Sequence, residues 1–290
     1  MKLRAWIEAT RLRTLPVSIA GVITAIGFNI LNGTLKPVPA TLCLLFAILC
    51  QIASNYANEY FDYTAGRDRQ GRQGPRRGVT EGDITPRAMK TAILCTIALA
   101  GCVGLPLIYW GGWWLTAIGG IIVLALLAYS TGPFPLSTNG LGEVAVIIFF
   151  GVIPVSFTYY VQAHEWAWDV VVAGISIGLL GANVLIINNY RDIDDDMAVN
   201  KRTLAVRLGR TAMVGLYAAN ALVAMGLMIR TWVVIGIAWC IVPLLVLTAS
   251  GFIAVKMYHL RGSSLTKLLG LTSMVMFVYS ILLFIACSVS

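Results

Sequence analysis

Nine apolar stretches follow one another along the chain, at about 14–32, 39–61, 89–109, 113–130, 143–161, 168–189, 211–229, 232–254 and 268–287. Each is close to the roughly 20 residues a helix needs to cross the hydrocarbon of a bilayer. Only 12% of the residues are charged, against about 25% in an average soluble domain. Too few charges are left to cover a water-soluble surface. The pattern predicts an all-α polytopic membrane protein, with nine transmembrane helices bundled around a central apolar chamber. Residues 1–290 read as a single integral membrane domain. The first apolar run has no A-x-A-like site after it, so no cleavable leader is expected. Disordered, coiled-coil and disulfide-scaffold classes are excluded by the same composition.

Basic residues set the sidedness. With nine spans the connections alternate sides, and all 21 Lys and Arg except Lys36 and Arg230 fall on one of them. By the positive-inside rule that side is cytoplasmic. The expected protein lies in the cell (inner) membrane with its N-terminus cytoplasmic and its C-terminus outside. Two cytoplasmic connections are long and polar, about 62–88 and 190–210. The net charge of +8 is accounted for by this topology and by anionic lipid, and no nucleic-acid partner is implied. Trp110, Trp113, Trp114, Trp166 and Trp168 fall at outer span ends, as interfacial belts require. The six cysteines sit in apolar runs as small hydrophobes. His164 and His259 are too far apart in sequence to suggest a shared metal.

Both long polar connections begin with acids at helical spacing. The first cluster holds Asn55, Asn58, Glu59 and Asp62, then Gly66, Arg67 and Asp68. Steps of three, four and seven put its four leading residues on one helix face. Gly66 suits a helix end that turns Asp68 back toward that face. The second cluster holds Asn188, Asn189, Arg191, Asp192, Asp195 and Asp196, followed by Lys201. Asp194 points away from the shared face. Acids near the hydrocarbon boundary need partners. These partners are either nearby Arg and Lys, as in an ordinary solvated loop, or a hard divalent cation that takes oxygen ligands. Two acidic clusters on one side, amid Arg and Lys, suit a Mg²⁺-bridged diphosphate, with cations holding the remaining phosphate charge. No Walker loop or Rossmann glycine fingerprint is present. The chemistry that fits is ionisation of an allylic diphosphate, with a dry chamber shielding the cation. Tyr129, Phe134, Tyr159 and Tyr160 are aromatics that could face such a cation.

Further strings complete the pattern. Arg11-Leu-Arg13-Thr14-Leu-Pro16 opens the chain. Gly74-Pro75-Arg76-Arg77-Gly78, Gly132-Pro133-Phe134-Pro135, Gly140-Leu141-Gly142-Glu143, Phe149-Phe150-Gly151 and Tyr159-Tyr160-Val161-Gln162 follow in the middle. Lys201-Arg202-Thr203-Leu204 follows the second acidic cluster. Over nearly its whole length the chain resembles the UbiA superfamily of intramembrane prenyltransferases, and within it the naphthoate branch. It departs from that pattern in two places. Glu59 stands where the motif usually reads Asp, and Gly66 stands where many members have an acid.

The resemblance implies that Asp62, Asp68, Asp192 and Asp196 hold Mg²⁺, supported by Asn58 and Asn188. Arg67, Arg72, Arg76, Arg77, Arg191 and Lys201 form the pool for phosphate contacts. Arg13 is implied to meet the acceptor's carboxylate or the diphosphate. Glu143 either orients the acceptor or caps a helix. The implied partners are a polyprenyl diphosphate, dihydroxynaphthoate and the lipid bilayer. The implied reaction joins the prenyl chain to the naphthoate ring with loss of CO₂. A sister enzyme using 4-hydroxybenzoate or homogentisate is the alternative. A transporter with the acids as an ion path is the alternative from another class.

Overall fold

The computed structural model describes residues 3–68 and 76–290, and every regular element among them is helical. In chain order these are α1 (Leu3–Thr10), α2 (Leu15–Leu31), α3 (Pro37–Thr64), α4 (Pro86–Gly104) and α5 (Ile108–Gly111). Then come α6 (Leu115–Ser130), α7 (Gly142–Val146), α8 (Ile153–Ala163), α9 (Trp168–Arg191) and α10 (Ile193–Ala198). The last four are α11 (Leu204–Leu227), α12 (Ile229–Ile235), α13 (Ile241–His259) and α14 (Leu265–Val289). Local chemistry sets the starts. Proline lies in the first turn of α2, α3 and α4, where its missing N–H costs nothing. Thr85 and Thr203 cap α4 and α11 by accepting from Ala88 N and Val206 N.

Among the described residues, eight helical stretches are long and apolar enough to cross a membrane. The expected span at 113–130 is a shorter apolar helix, the 16-residue α6. At 1.5 Å per residue it extends about 24 Å, against about 30 Å of hydrocarbon. Gly112 (φ 90°) delays its start and Gly132 (φ 97°) ends the chain segment beyond it. Two other spans are less regular than expected. A π-helical turn, Ile147–Val152, joins α7 to α8. α11 begins seven residues before the expected 211 and bends at Gly209, whose φ is 77°.

α2 packs against α14 and α3 against α4, and α9 packs against α11 and the π turn. α9 is the most enclosed span and carries the buried Ile177, Ile186 and Ile187 into the main core. Its close neighbour is the π turn. A Cβ on Gly151 would lie 2.3 Å from Gly174 O, and one on Gly178 would lie 2.6 Å from Ile147 O. In lipid the helices gain little from hydrophobic exclusion, so small residues that let backbones touch supply the packing. The contact fixes the depth at which α9 presents its polar end.

Candidate active site

At 28 residues, α3 is about 42 Å long, so its last turns clear the hydrocarbon. Asn55, Asn58 and Asp62 share a face there. Gly66 (φ 66°) turns the chain, and the amides of Arg67 and Asp68 donate to Asp62 O at 2.8 and 3.3 Å. No atom crowds a Cβ at Gly66, so its backbone angle is what asks for glycine. Asp62 is 2% exposed and, among the described residues, meets Lys201 Nζ at 3.3 Å, Arg67 Nη1 at 3.4 Å and Arg77 Nη2 at 3.9 Å. Arg77 also reaches Asp68 Oδ2 at 3.5 Å and donates to Asn58 Oδ1 at 3.3 Å.

The second cluster lies where α9 gives way to α10. The helix breaks at Asp192, and its carboxylate accepts from Arg191 Nε at 2.6 Å and Nη2 at 2.9 Å. Arg191 Nη2 also donates to Asn188 Oδ1 at 2.9 Å. Asp192 and Asp196 are buried, whereas Asp194 is exposed and pairs with Arg210 at 2.7 Å. Lys201 Nζ lies 3.9 Å from Asp196 Oδ1 as well as close to Asp62. One ammonium thus ties together acids that are 134 positions apart in sequence (196 minus 62).

A polar cavity of about 180 Å³ is lined by residues of both clusters, among them Asn58, Asp62, Arg77, Asn188, Asp192 and Lys201. An apolar cavity of about 640 Å³ adjoins it, walled mainly by α3, α6 and the α7–α8 segment. Gln51, Ser54, Tyr129, Val146 and Phe150 line both. They form a neck between a charged compartment and a greasy one.

Several expected site residues sit elsewhere. Arg13 does not line the polar cavity, and its side chain is exposed; Arg11 lines it instead and donates to Asn58 Oδ1 at 3.3 Å. The left-handed backbone of Arg11 (φ 51°), just before the turn Leu12–Thr14, makes that exchange. Arg76 faces Glu8 and Asp83 outside the cavity. Arg67 does not line the polar cavity; it donates to Asp62 Oδ1 and Ser130 O, both at 3.4 Å. Glu143 is buried behind the wall, where it accepts from Asn189 Nδ2 at 2.9 Å. Arg72 lies outside the described residues. Of the four aromatics only Tyr129 faces the cavities. Phe134 is exposed, Tyr159 bonds Asn32 and Glu165, and Tyr160 stacks on Trp166. Sequence reading missed Arg11, Gln51, Thr14 and Phe150. Gln51 and Asn55 share a four-residue step with the first cluster, which was the available signal; Arg11, Thr14 and Phe150 stood in the quoted strings without a role.

Among the described residues, no three acidic, histidine or cysteine side chains converge into a cation cage. Lys201 and Arg191 hold the acids in ion pairs instead. The donors still suit magnesium: they are buried carboxylate oxygens beside a cavity. Mg²⁺ takes one or two protein carboxylates and fills its octahedron with phosphate oxygens and water.

The model of the UbiA prenyltransferase family matches residues 19–285. The chain belongs to that family. As a UbiA-family member it is 38% identical over 212 residues to 1,4-dihydroxy-2-naphthoate octaprenyltransferase of Escherichia coli K12, covering 71% of this chain and 69% of that one. It is 35% identical over 278 residues to the enzyme of that name from Mycobacterium leprae, covering 95% and 93%. In fold the family member is similar to a UbiA homologue from Archaeoglobus fulgidus bound to DMAPP and Mg²⁺. The TM-score is 0.69 at 14% identity, covering 96% of this chain and 98% of that one.

Proposed function

We propose that the chain transfers a polyprenyl group from polyprenyl diphosphate to 1,4-dihydroxy-2-naphthoate, releasing diphosphate and CO₂ and giving demethylmenaquinol, which dioxygen then oxidises to demethylmenaquinone outside the enzyme's own step. The observation that carries this reading is the neck. An arginine- and lysine-rich pocket with buried acids opens directly into an apolar chamber. That pairing matches a molecule with a charged head and a long hydrocarbon tail.

In this reading Arg11, Arg77 and Lys201 hold the diphosphate, and the chamber takes the isoprenoid tail. Asp62, Asp68, Asp192 and Asp196 would hold Mg²⁺, with Asn58 and Asn188 orienting the cationic side chains around them. When bound, Mg²⁺ supplies positive charge that stabilises the departing diphosphate. Arg191 grips Asp192 and keeps its carboxylate at the pocket wall. The allylic C–O bond breaks at the neck, where Tyr129 and Phe150 exclude water and present ring faces to the cation. The electron-rich ring carbon that carries the carboxylate forms the new C–C bond, and CO₂ leaves with restoration of the aromatic ring. The protein is an integral membrane protein. Its proposed setting is the cell inner membrane, N-terminus and active-site loops cytoplasmic, C-terminus outside, with residues 1–290 acting as one domain.

The test is turnover by purified protein in detergent with Mg²⁺ and a polyprenyl diphosphate. Dihydroxynaphthoate and 4-hydroxybenzoate are offered separately, with products read by mass. The mass of demethylmenaquinol, or of the quinone it gives on oxidation in air, is expected from the first acceptor alone. Product from the second alone would move the protein to the sister reaction. No product from folded protein would return the transporter reading, since detergent abolishes any gradient.

A further inference from the structure

Glu59 is 1% exposed, does not line the polar cavity, and plays no part in the chemistry above. Its Oε1 accepts from Val79 N at 3.0 Å. Val79 belongs to a compact turn that begins at Arg77. Arg77 O accepts from Glu81 N at 3.0 Å, and Gly78 O accepts from Asp83 N at 2.9 Å and Ile84 N at 3.0 Å. Val79 and Ile84 are buried in a small core with Ala53, Tyr56, Ala57 and Met89. Gly78 lets the turn seat closely, since a Cβ there would meet Ile84 Cδ1 at 2.8 Å and Glu59 Oε1 at 3.5 Å. The turn is bonded to itself and therefore shifts as a unit. Arg77, at its start, is the residue that enters the charged pocket and meets Asp62, Asp68 and Asn58.

We propose that Glu59 is a positioning residue: it latches the 77–84 turn onto α3 and so holds Arg77 in the diphosphate pocket. This rests on the diphosphate-binding reading of Arg77. An aspartate here, one methylene shorter, would reach Val79 N only if the turn moved inward. The Asp-to-Glu departure therefore sets how far from α3 the turn rides, and with it the reach of Arg77.

The experiment uses the full-length protein in detergent and pairs two readouts. Amide hydrogen exchange over 77–84 reports the latch whether or not the protein prenylates naphthoate. Steady-state turnover with polyprenyl diphosphate reports the consequence. A hydrogen bond to a carboxylate is at stake, so Glu59→Ala should speed exchange in 77–84 about ten- to a hundredfold. It should lower kcat/KM for the diphosphate by a similar factor, about ten- to a hundredfold, mainly through KM. Glu59→Gln keeps an acceptor oxygen and should stay near wild type in both. Glu59→Ala added to Arg77→Ala should cost nothing further in turnover and should leave Mn²⁺ affinity where Arg77→Ala alone puts it. Gly78→Ala lifts the turn from the other side and should give the same exchange and KM phenotype, even if Glu59→Ala fails to fold. Wild-type exchange in Glu59→Ala overturns the proposal. So do multiplicative losses with Arg77→Ala, weakened Mn²⁺ binding in Glu59→Gln, or faster exchange in Gly78→Ala without a KM change. Wild-type protein that makes no product sinks the prenyltransferase reading, and the exchange data still decide the latch.

Discussion

Replacing Lys201 with methionine separates two roles that ordinarily look alike. The ammonium lies 3.3 Å from Asp62 and 3.9 Å from Asp196, with 14% of the side chain exposed. At an effective dielectric of about 20, each contact carries a gross attraction of about 4–5 kcal/mol. Desolvation of the buried groups offsets most of that. A net stabilisation of about 1–2 kcal/mol survives for a pair that is still partly screened. Methionine keeps the stem and removes the charge, leaving Asp62 to Arg67 and Arg77 and taking the ammonium away from Asp196. A divalent cation then no longer has to displace the lysine. Mn²⁺ should bind about tenfold more tightly to Lys201→Met, at 1.36 kcal/mol per tenfold. Turnover should move the other way, because a phosphate contact is lost; kcat/KM for the prenyl diphosphate should fall about 10²–10³-fold. Mn²⁺ binding by electron paramagnetic resonance in detergent, beside a product assay, reads both. If Mn²⁺ binds the folded variant as weakly as wild type, or more weakly, Lys201 is not holding the cation site and the reasoning fails.

Other outcomes follow from the same geometry. Asp192→Asn should cut turnover at least about 10²-fold without changing the amount of protein in the membrane fraction; a wild-type rate would remove Asp192 from the chemistry. Arg11→Ala should raise KM for a substrate about tenfold or more, as expected for a hydrogen bond to a charged group, whereas Arg13→Ala should change it little; the reverse order would contradict the cavity lining. EDTA should stop product formation and Mg²⁺ should restore it, and full activity in metal-free buffer would contradict the proposed mechanism. Gly178→Val should destabilise the fold by about 1–3 kcal/mol through overpacking against Ile147, read as a lower Tm in detergent; an unchanged melt would show that α9 and the π turn do not touch.

Much of the helix pattern was legible because hydrocarbon thickness imposes a length on every span. The 113–130 segment is a helix shorter than that length: its composition is apolar enough, and Gly112 and Gly132 bracket the 16-residue α6. The π turn at Ile147–Val152 was not legible, since it comes from the backbone contact with Gly174 and Gly178 rather than from any local motif. In the site, Asn58, Asp62, Asn188 and Asp192 could be grouped by helical spacing. Arg13 and Arg11 could not be told apart, because a single left-handed residue decides which one faces the cavity.

The sequence by itself determined that the chain lives in a membrane, where its spans lie, and that two acidic helix ends share a side with most of its cations. Those properties come from local composition and period, which each segment carries alone. Tertiary structure decided that Lys201 bridges Asp62 to Asp196, that Glu59 faces a loop rather than the pocket, and that Tyr129 and Phe150 stand at the neck. These pairings join residues distant in sequence. They are set by how α3 packs on α4, α6 and α8 and how α9 packs on the π turn, a property of the assembled bundle and of no single helix.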